Sequence, residues 1–230
     1  MPAGDVVRIA HVSDFHALAS TPETRLRAAF DAVAEERPDL VFLTGDFLSY
    51  TRRPLRHFPR LFRGIGAPTF AVLGNHDHWV DPKGVRSVLE GMGQTVLQNE
   101  ATSVTVRNTR IWIVGVDDAT SRRENVDLAF AGVPRAEPTL VLAHTPSTFD
   151  RLPPEHETIC FSGHTHGGHI YLGRFTEKIG RAMGMRYIRG HYQRPNHQLY
   201  VNRGIGSGGP LPRVRSEPEV AFFHVAAQAA

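Results

Sequence analysis

A chain of 230 residues, 41% hydrophobic and 21% charged, has the length and make-up of an ordinary globular protein with one sizeable α/β core. No apolar run approaches the ~18 residues of a membrane-spanning helix, and "MPAGDVVRIAHVSD" enters a strand pattern directly, which argues against a signal peptide. The net charge of +3 is too small to mark the whole chain as a polyanion binder, although 24 of the 26 basic residues are Arg, a bias that suits bidentate phosphate contacts and equally a GC-rich genome.

Residues 6–14 read as a buried strand. Residues 21–38 read as a helix, with Thr21 as its cap, Pro22 in its first turn, Leu26, Phe30 and Val33 on one face, and Pro38 at its end. Strands follow at 39–46 and 68–75, with helices around 54–63 and 82–92. Residues 101–118 then read as two strands joined by a tight turn at Asn108-Thr109, followed by a short helix near 125–131. Further strands are expected at 139–146, 157–166, 169–173, 197–204 and 219–225, while 174–195 is the least regular segment, mixing Arg with Phe175, Ile179, Met183, Met185 and Tyr187. The strand–helix–strand first half favours parallel pairing, the second half is strand-rich, and two packed sheets with helices outside satisfy both. With no internal repeat and no linker, the expectation is a single domain over 1–230. The lone Cys160 cannot form an internal disulfide and reads as a small core residue rather than a catalytic thiol.

Five stretches share one grammar: "SDFH" (13–16), "TGDF" (44–47), "GNHD" (74–77), "AHTP" (143–146) and "SGHTH" (162–166). Each follows an apolar run and ends in carboxylate, amide or imidazole. Strand C-terminal ends form the ligand crevice of open α/β sheets, so these ends would bring together Asp14, His16, Asp46, Asn75, His76, His144, His164 and His166. That set of O and N donors, without thiolate, suits Mn, Fe or Zn. The i, i+2 pairs Asp14/His16 and His164/His166 point the same way on an extended chain. Eight donors exceed one tetrahedral ion and fit two ions sharing a carboxylate.

At these residues the chain resembles the calcineurin-like metallophosphoesterase superfamily, whose order D-x-H, G-D, G-N-H-[DE], H, G-H-x-H appears as Asp14/His16, Gly45-Asp46, Gly74-Asn75-His76-Asp77, His144 and Gly163-His164-Thr165-His166. "SGHTHGGHI" with the later "LYVNRGIGSGGPLPRVRSEPEV" is similar to the YkuE-like branch and extends the resemblance to about residue 225. The resemblance implies a four-layer αββα sandwich of two mixed sheets with a dinuclear centre at the strand rim. It implies Asp14, His16 and His166 on one ion, Asn75, His144 and His164 on the other, and Asp46 between them. Manganese is the first expectation for both ions, with iron or zinc as alternatives. Two departures stand out: members commonly carry an export signal or membrane anchor, absent from this sequence, and many have Gln where this chain has His169.

The implied chemistry is in-line attack on phosphorus by a hydroxide formed between two metals, with His76 protonating the leaving oxygen and Asp77 orienting the His76 ring. His78 reads as a loop residue or substrate contact, and His169 and Arg203 as further substrate contacts. His11 reads as a packed strand residue. The "GIGSGG" loop (204–209) lacks the spacing of a nucleotide fingerprint and reads as a turn that carries Arg203 towards the site.

The expected function is hydrolysis of a phosphodiester or pyrophosphate bond. The alternatives are a phosphomonoesterase, a nucleic-acid-binding or processing protein, and a metal-binding but inactive relative. Ten basic and three acidic residues between 151 and 215 motivate the nucleic-acid reading, but no standard binding motif accompanies them. The Arg-plus-apolar segment 174–195 is a candidate for peripheral contact with anionic lipid. The expected location is the cytoplasm, with that peripheral contact added.

Overall fold

The computed structural model describes residues 6–17, 23–208 and 213–226. Eleven strands are found among them: β1 Val6–Val12, β2 Leu40–Thr44, β3 Thr69–Val72, β4 Thr95–Val96, β5 Glu100–Val106, β6 Thr109–Val116, β7 Thr139–Ala143, β8 Thr158–Ser162, β9 Gly190–Arg194, β10 His197–Val201 and β11 Ala221–Ala226. The helices are α1 Glu23–Glu36, α2 Phe58–Leu61, α3 Asn75–Val80, α4 Pro82–Gly91, α5 Val126–Ala129 and α6 Arg174–Ala182.

The strands form two mixed sheets, ordered β11-β1-β2-β3-β4 and β5-β6-β7-β8-β10-β9. In the first, β1, β2, β3 and β4 run parallel, and β11 closes the edge antiparallel to β1, with Val6 opposite Ala226. In the second, β6, β7, β8 and β10 run parallel between antiparallel edge partners β5 and β9.

The period-2 alternation of the strands explains why their sequences are continuous apolar runs. On β2, Leu40 and Phe42 face the second sheet, while Val41 and Leu43 face the helices. The middle core joins Ile9, Phe42 and Val72 to Ile113, Leu142 and Phe161. One outer core places Leu26, Phe30 and Val33 of α1 and Val85 and Leu89 of α4 on the first sheet. The other packs Val126, Ala129 and Phe149 on Val114, Val141 and Leu199. The result is the expected four-layer αββα sandwich. Cys160 lies in this second outer core, where burial pushes its thiol up to about 12.

Several local expectations need correcting. The Thr21 cap and Pro22 lie outside the described residues. The helix expected at 54–63 is a 3-10 turn over Arg53–His57 followed by the short α2, both with a proline in the first turn. The hairpin turns at Arg107-Asn108, one residue early, because Arg107 takes φ 53° and Thr109 already pairs with Val106. No strand forms at 169–173: left-handed φ at His169 and Gly173 leaves a single bridge, Ile170 to Val214. The segment 174–195 is regular, holding α6 and β9. The "GNHDH" stretch opens a helix, α3, where Asp77 in the first turn accepts the Gly74 N–H at 2.9 Å.

Candidate active site

Five of the parallel strands, β1, β2, β3, β7 and β8, run into polar residues at the same rim, because chain direction puts their C-terminal ends together. β1 delivers Asp14 and His16, β2 Asp46, and β3 Asn75 and His76. From the opposing sheet β7 delivers His144 and β8 delivers His164 and His166. Asp14, His16, Asp46, Asn75 and His144 are at most 3% exposed.

The donor atoms converge. His16 Nε2 and His166 Nε2 lie 2.9 Å apart, with Asp14 Oδ1 at 3.9 Å from the first and 3.5 Å from the second. Asn75 Oδ1 is 3.2 Å from His144 Nε2 and 3.0 Å from His164 Nδ1. Asp46 Oδ2 stands between the two groups, 3.3 Å from His16 Nε2 and 3.4 Å from His144 Nε2. Asp14, His16 and His166, and separately Asp14, Asp46 and His144, can each present one ligand atom within 4.8 Å of the others.

The supporting contacts aim these atoms. His144 Nδ1 donates to the Thr44 carbonyl at 2.7 Å, which turns the Nε2 lone pair towards Asp46. Asp46 Oδ1 accepts the His76 N–H at 2.9 Å, leaving Oδ2 for the centre. The Asp14 carboxylate accepts the His164 N–H at 3.0 and 3.1 Å. Left-handed φ holds Asp14 (50°), His16 (42°), Asp46 (53°), His164 (72°) and His166 (52°), a strained conformation for non-glycine residues that bends each ligand inward as its strand ends. Two glycines make room for the carboxylates. A Cβ on Gly74 would stand 2.2 Å from Asp46 Oδ1, and one on Gly163 2.2 Å from Asp14 Oδ2.

Electrostatics favours ligating forms at most positions. Burial lowers His164 and His166 and takes His16 down to about 3, which favours their neutral, ligating form. Burial works to raise Asp14 and Asp46, but the surrounding histidines outweigh it and both carboxyls stay low. His144 goes the other way: burial pulls it down, and Asp46, Asp14 and Asp118 hold it well above its ordinary value. Two imidazole nitrogens at 2.9 Å can share only one proton, and facing lone pairs around two carboxylates call for cations. The residues fit a pair of divalent ions.

His76 and Asp77 separate in role. His76 Nδ1 donates to the Ser49 carbonyl at 2.8 Å, which leaves Nε2 as the nitrogen able to exchange a proton. Its ring packs on His16 (4.8 Å), Trp79 (4.8 Å) and Tyr50 (5.8 Å). Asp77 does not orient that ring: its carboxylate accepts the N–H groups of Gly74 (2.9 Å) and Leu48 (3.0 Å), tying α3 to the loop after β2. Burial, then Asp46, pushes Asp77 up to about 7.

The expected substrate contacts fall differently. His78 is neither a loop residue nor free for substrate; it is helical, and its Nε2 meets Asp117 Oδ1 at 2.6 Å with both side chains buried. Arg203 turns away to Glu219 (3.0 Å) and Glu217 (3.2 Å). The guanidinium beside the ligands is that of Arg213, whose Nη2 donates to His166 Nδ1 at 3.1 Å. The "GIGSGG" loop braces the first ligand strand through Ile205 N–H to Ser13 O (3.0 Å) and Gly206 N–H to Asp14 O (2.7 Å). His169 lies 5.8 Å from the His166 ring and lines an apolar groove. His11 is packed as expected, its Nε2 on Thr44 Oγ1 at 2.8 Å.

Sequence reasoning missed Asp117 and Asp118. Their signal was present, since "WIVGVDD" ends like the five other strands. Asp118 accepts from Thr145 Oγ1 at 2.6 Å and braces the loop after β7.

A mixed-sheet αββα sandwich whose joint rim presents two clustered donor sets has the make-up of a candidate dinuclear metal centre. The chain belongs to the calcineurin-like phosphoesterase family, whose model matches residues 7–168. It is 29% identical over 225 residues to the phosphodiesterase YaeI of Escherichia coli, covering 95% of this chain and 82% of that protein. It is 28% identical over 276 residues to the UDP-2,3-diacylglucosamine pyrophosphatase LpxG of Chlamydia trachomatis (94% and 83%). The metallophosphoesterase YkuE of Bacillus subtilis is 28% identical over 221 residues (93% and 75%), in keeping with the branch resemblance. A dimetal phosphatase from Danio rerio shares the fold, with a TM-score of 0.51 at 12% identity over 87% of this chain and 88% of that one.

Proposed function

We propose that this metallophosphoesterase hydrolyses a phosphodiester or pyrophosphate bond using two divalent ions, manganese first among the candidates. Asp14, His16 and His166 would hold one ion, Asn75, His144 and His164 the other, with Asp46 shared. The observation that carries this reading is the position of Asp46 Oδ2, within 3.4 Å of a histidine from each donor set. When bound, such ions lower the pKa of a coordinated water and neutralise charge on a phosphoryl group.

The chain's own residues supply the rest. Asn75 gives a neutral oxygen, which limits negative charge where an anionic ester must approach. His76, held by Ser49, delivers a proton from Nε2 to the departing oxygen. Tyr50 and Trp79 flank that ring and fix its plane. The preference for a diester or pyrophosphate rests on the groove beside His169, which gives space for a second substituent, and on the activities named for YaeI and LpxG. A cytoplasmic location with peripheral contact between 174–195 and anionic lipid belongs to the same proposal; fractionation and liposome sedimentation test it.

The deciding experiment compares bis-p-nitrophenyl phosphate with p-nitrophenyl phosphate on manganese-loaded enzyme. Faster diester turnover is expected. A much faster monoester rate would replace this reading with a phosphomonoesterase.

A further inference from the structure

Six of the twelve exposed large hydrophobic residues among those described fall in one short stretch: Ile170, Leu172, Phe175, Ile179, Met183 and Met185. Apolar exposure this concentrated is uncommon on a protein without a use for it. These side chains wall a groove of about 440 Å³.

The groove adjoins the candidate metal centre, since His169, which lines it, has its ring 5.8 Å from that of His166. Thr165, between the ligands His164 and His166, lines one end and bonds the carbonyl of Ile188, which lines the floor. Gly168 and Gly180 keep that floor low: a Cβ on Gly180 would meet Ile188 Cδ1 at 2.6 Å, and one on Gly168 Thr176 Cγ2 at 2.7 Å. Alongside, Arg174, Lys178 and Arg181 follow one another at i, i+4, i+7 on α6, adjoining the face that carries Phe175, Ile179 and Met183. None of these three cations is paired with a carboxylate among the described residues. An apolar groove that lies beside the candidate metal centre and is edged with positive charge unpaired among the described residues is complementary to a molecule with an anionic phosphoester head and a hydrocarbon tail.

The geometry points to a substrate-chain subsite: the groove between α6 and the 165–172 loop takes the alkyl chain of a lipid-type phosphoester whose phosphorus sits at the metal centre. This rests on the phosphoesterase reading and specifies its substrate class.

The test is an alkyl series of p-nitrophenyl phosphodiesters, methyl to decyl, held below their micelle concentrations, with bis-p-nitrophenyl phosphate as a chain-free substrate. A rise in kcat/KM approaching fourfold per added methylene, carried by KM, is expected over the first carbons. In Phe175→Asp and Ile179→Asp, both at exposed positions, the decyl-to-methyl ratio should collapse. A second readout needs no turnover: calorimetry of decyl phosphate against ethyl phosphate on chelated protein, where only the decyl compound should bind and Ile179→Asp should abolish it. Hydrolysis of the chain-free ester with a flat alkyl series overturns the subsite and leaves the phosphoesterase reading standing. If no ester is hydrolysed, that reading fails, and the calorimetry alone decides the subsite. Binding of anionic vesicles, or dimerisation lost in Ile179→Asp, combined with a flat series assigns the face to a bilayer or a second copy and overturns the proposal.

Discussion

Asp46 shows how much one residue carries. One oxygen is fixed by the His76 N–H and the other reaches both donor sets, so Asp46→Asn should remove metal from both, read as loss of bound manganese by elemental analysis. Gly163 is as constrained, because the space its absent side chain would need is filled by Ser13 and by the Asp14 carboxylate. Gly163→Ala should weaken metal affinity by about ten- to a hundredfold, as displaced support of a ligand does, measured by titration of the chelated protein. His76→Ala separates chemistry from binding. Metal content should stay at the wild-type level while kcat falls by about 10²–10⁴. The fall should be larger for an alkoxide than for p-nitrophenolate, which leaves without help; equal losses would remove the proton-donor role.

At the scale of elements, α3 is anchored by Asp77 rather than by its own length of six residues. Asp77→Ala leaves two buried N–H groups without an acceptor, at about 1–3 kcal/mol each. The denaturation midpoint should drop accordingly, and His76 should lose its register against Ser49. The legibility of the elements followed burial. β2, β3, β7 and β8 were readable because both faces of each are largely covered, so they appear as nearly unbroken apolar runs, β1 was readable from its buried second half, and the polar residue ending each run marked the rim. The short α3 was not readable, since His, Asp and Asn dominate it and its cap is a glycine with a carboxylate three residues on. α6 and β9 were hidden for another reason: α6 leaves its apolar face uncovered, and β9 is an edge strand with alternating polar residues, so neither carries a core pattern. The candidate ligands, which the fold brings together at one rim, were picked out because each motif is local. Ser49, Arg213 and Asp118 were not singled out, since a carbonyl has no sequence signature and an arginine's direction depends on the loops around it.

The whole molecule is stitched across its middle layer. The candidate ligands come from both sheets, so bound ions would tie one sheet to the other, and chelation should lower the melting temperature as well as abolish turnover. At metal concentrations a thousandfold above Kd the stabilisation is about 4 kcal/mol. Beneath the centre, His11 lies between the sheets with its Nδ1 unpaired, and burial takes it down to about 4 from an ordinary 6.5. The unfolded chain therefore binds a proton that the folded chain refuses, so this contribution to stability is intact above about 6.5 and is lost as pH falls towards about 4. Thermal melts of chelated protein across that window should show the decline, with a shallower slope in His11→Asn.

The pairing of Val6 with Ala226 sets a schedule as well as a shape. The strand that presents Asp14 and His16 lacks one neighbour until β11 has been made. Ion capture would then follow the synthesis of β11, and the supply of divalent metal at that moment would govern how much newly made protein becomes competent. Pulse-labelled cells starved of the ion and then replenished should convert an existing pool of protein without fresh translation.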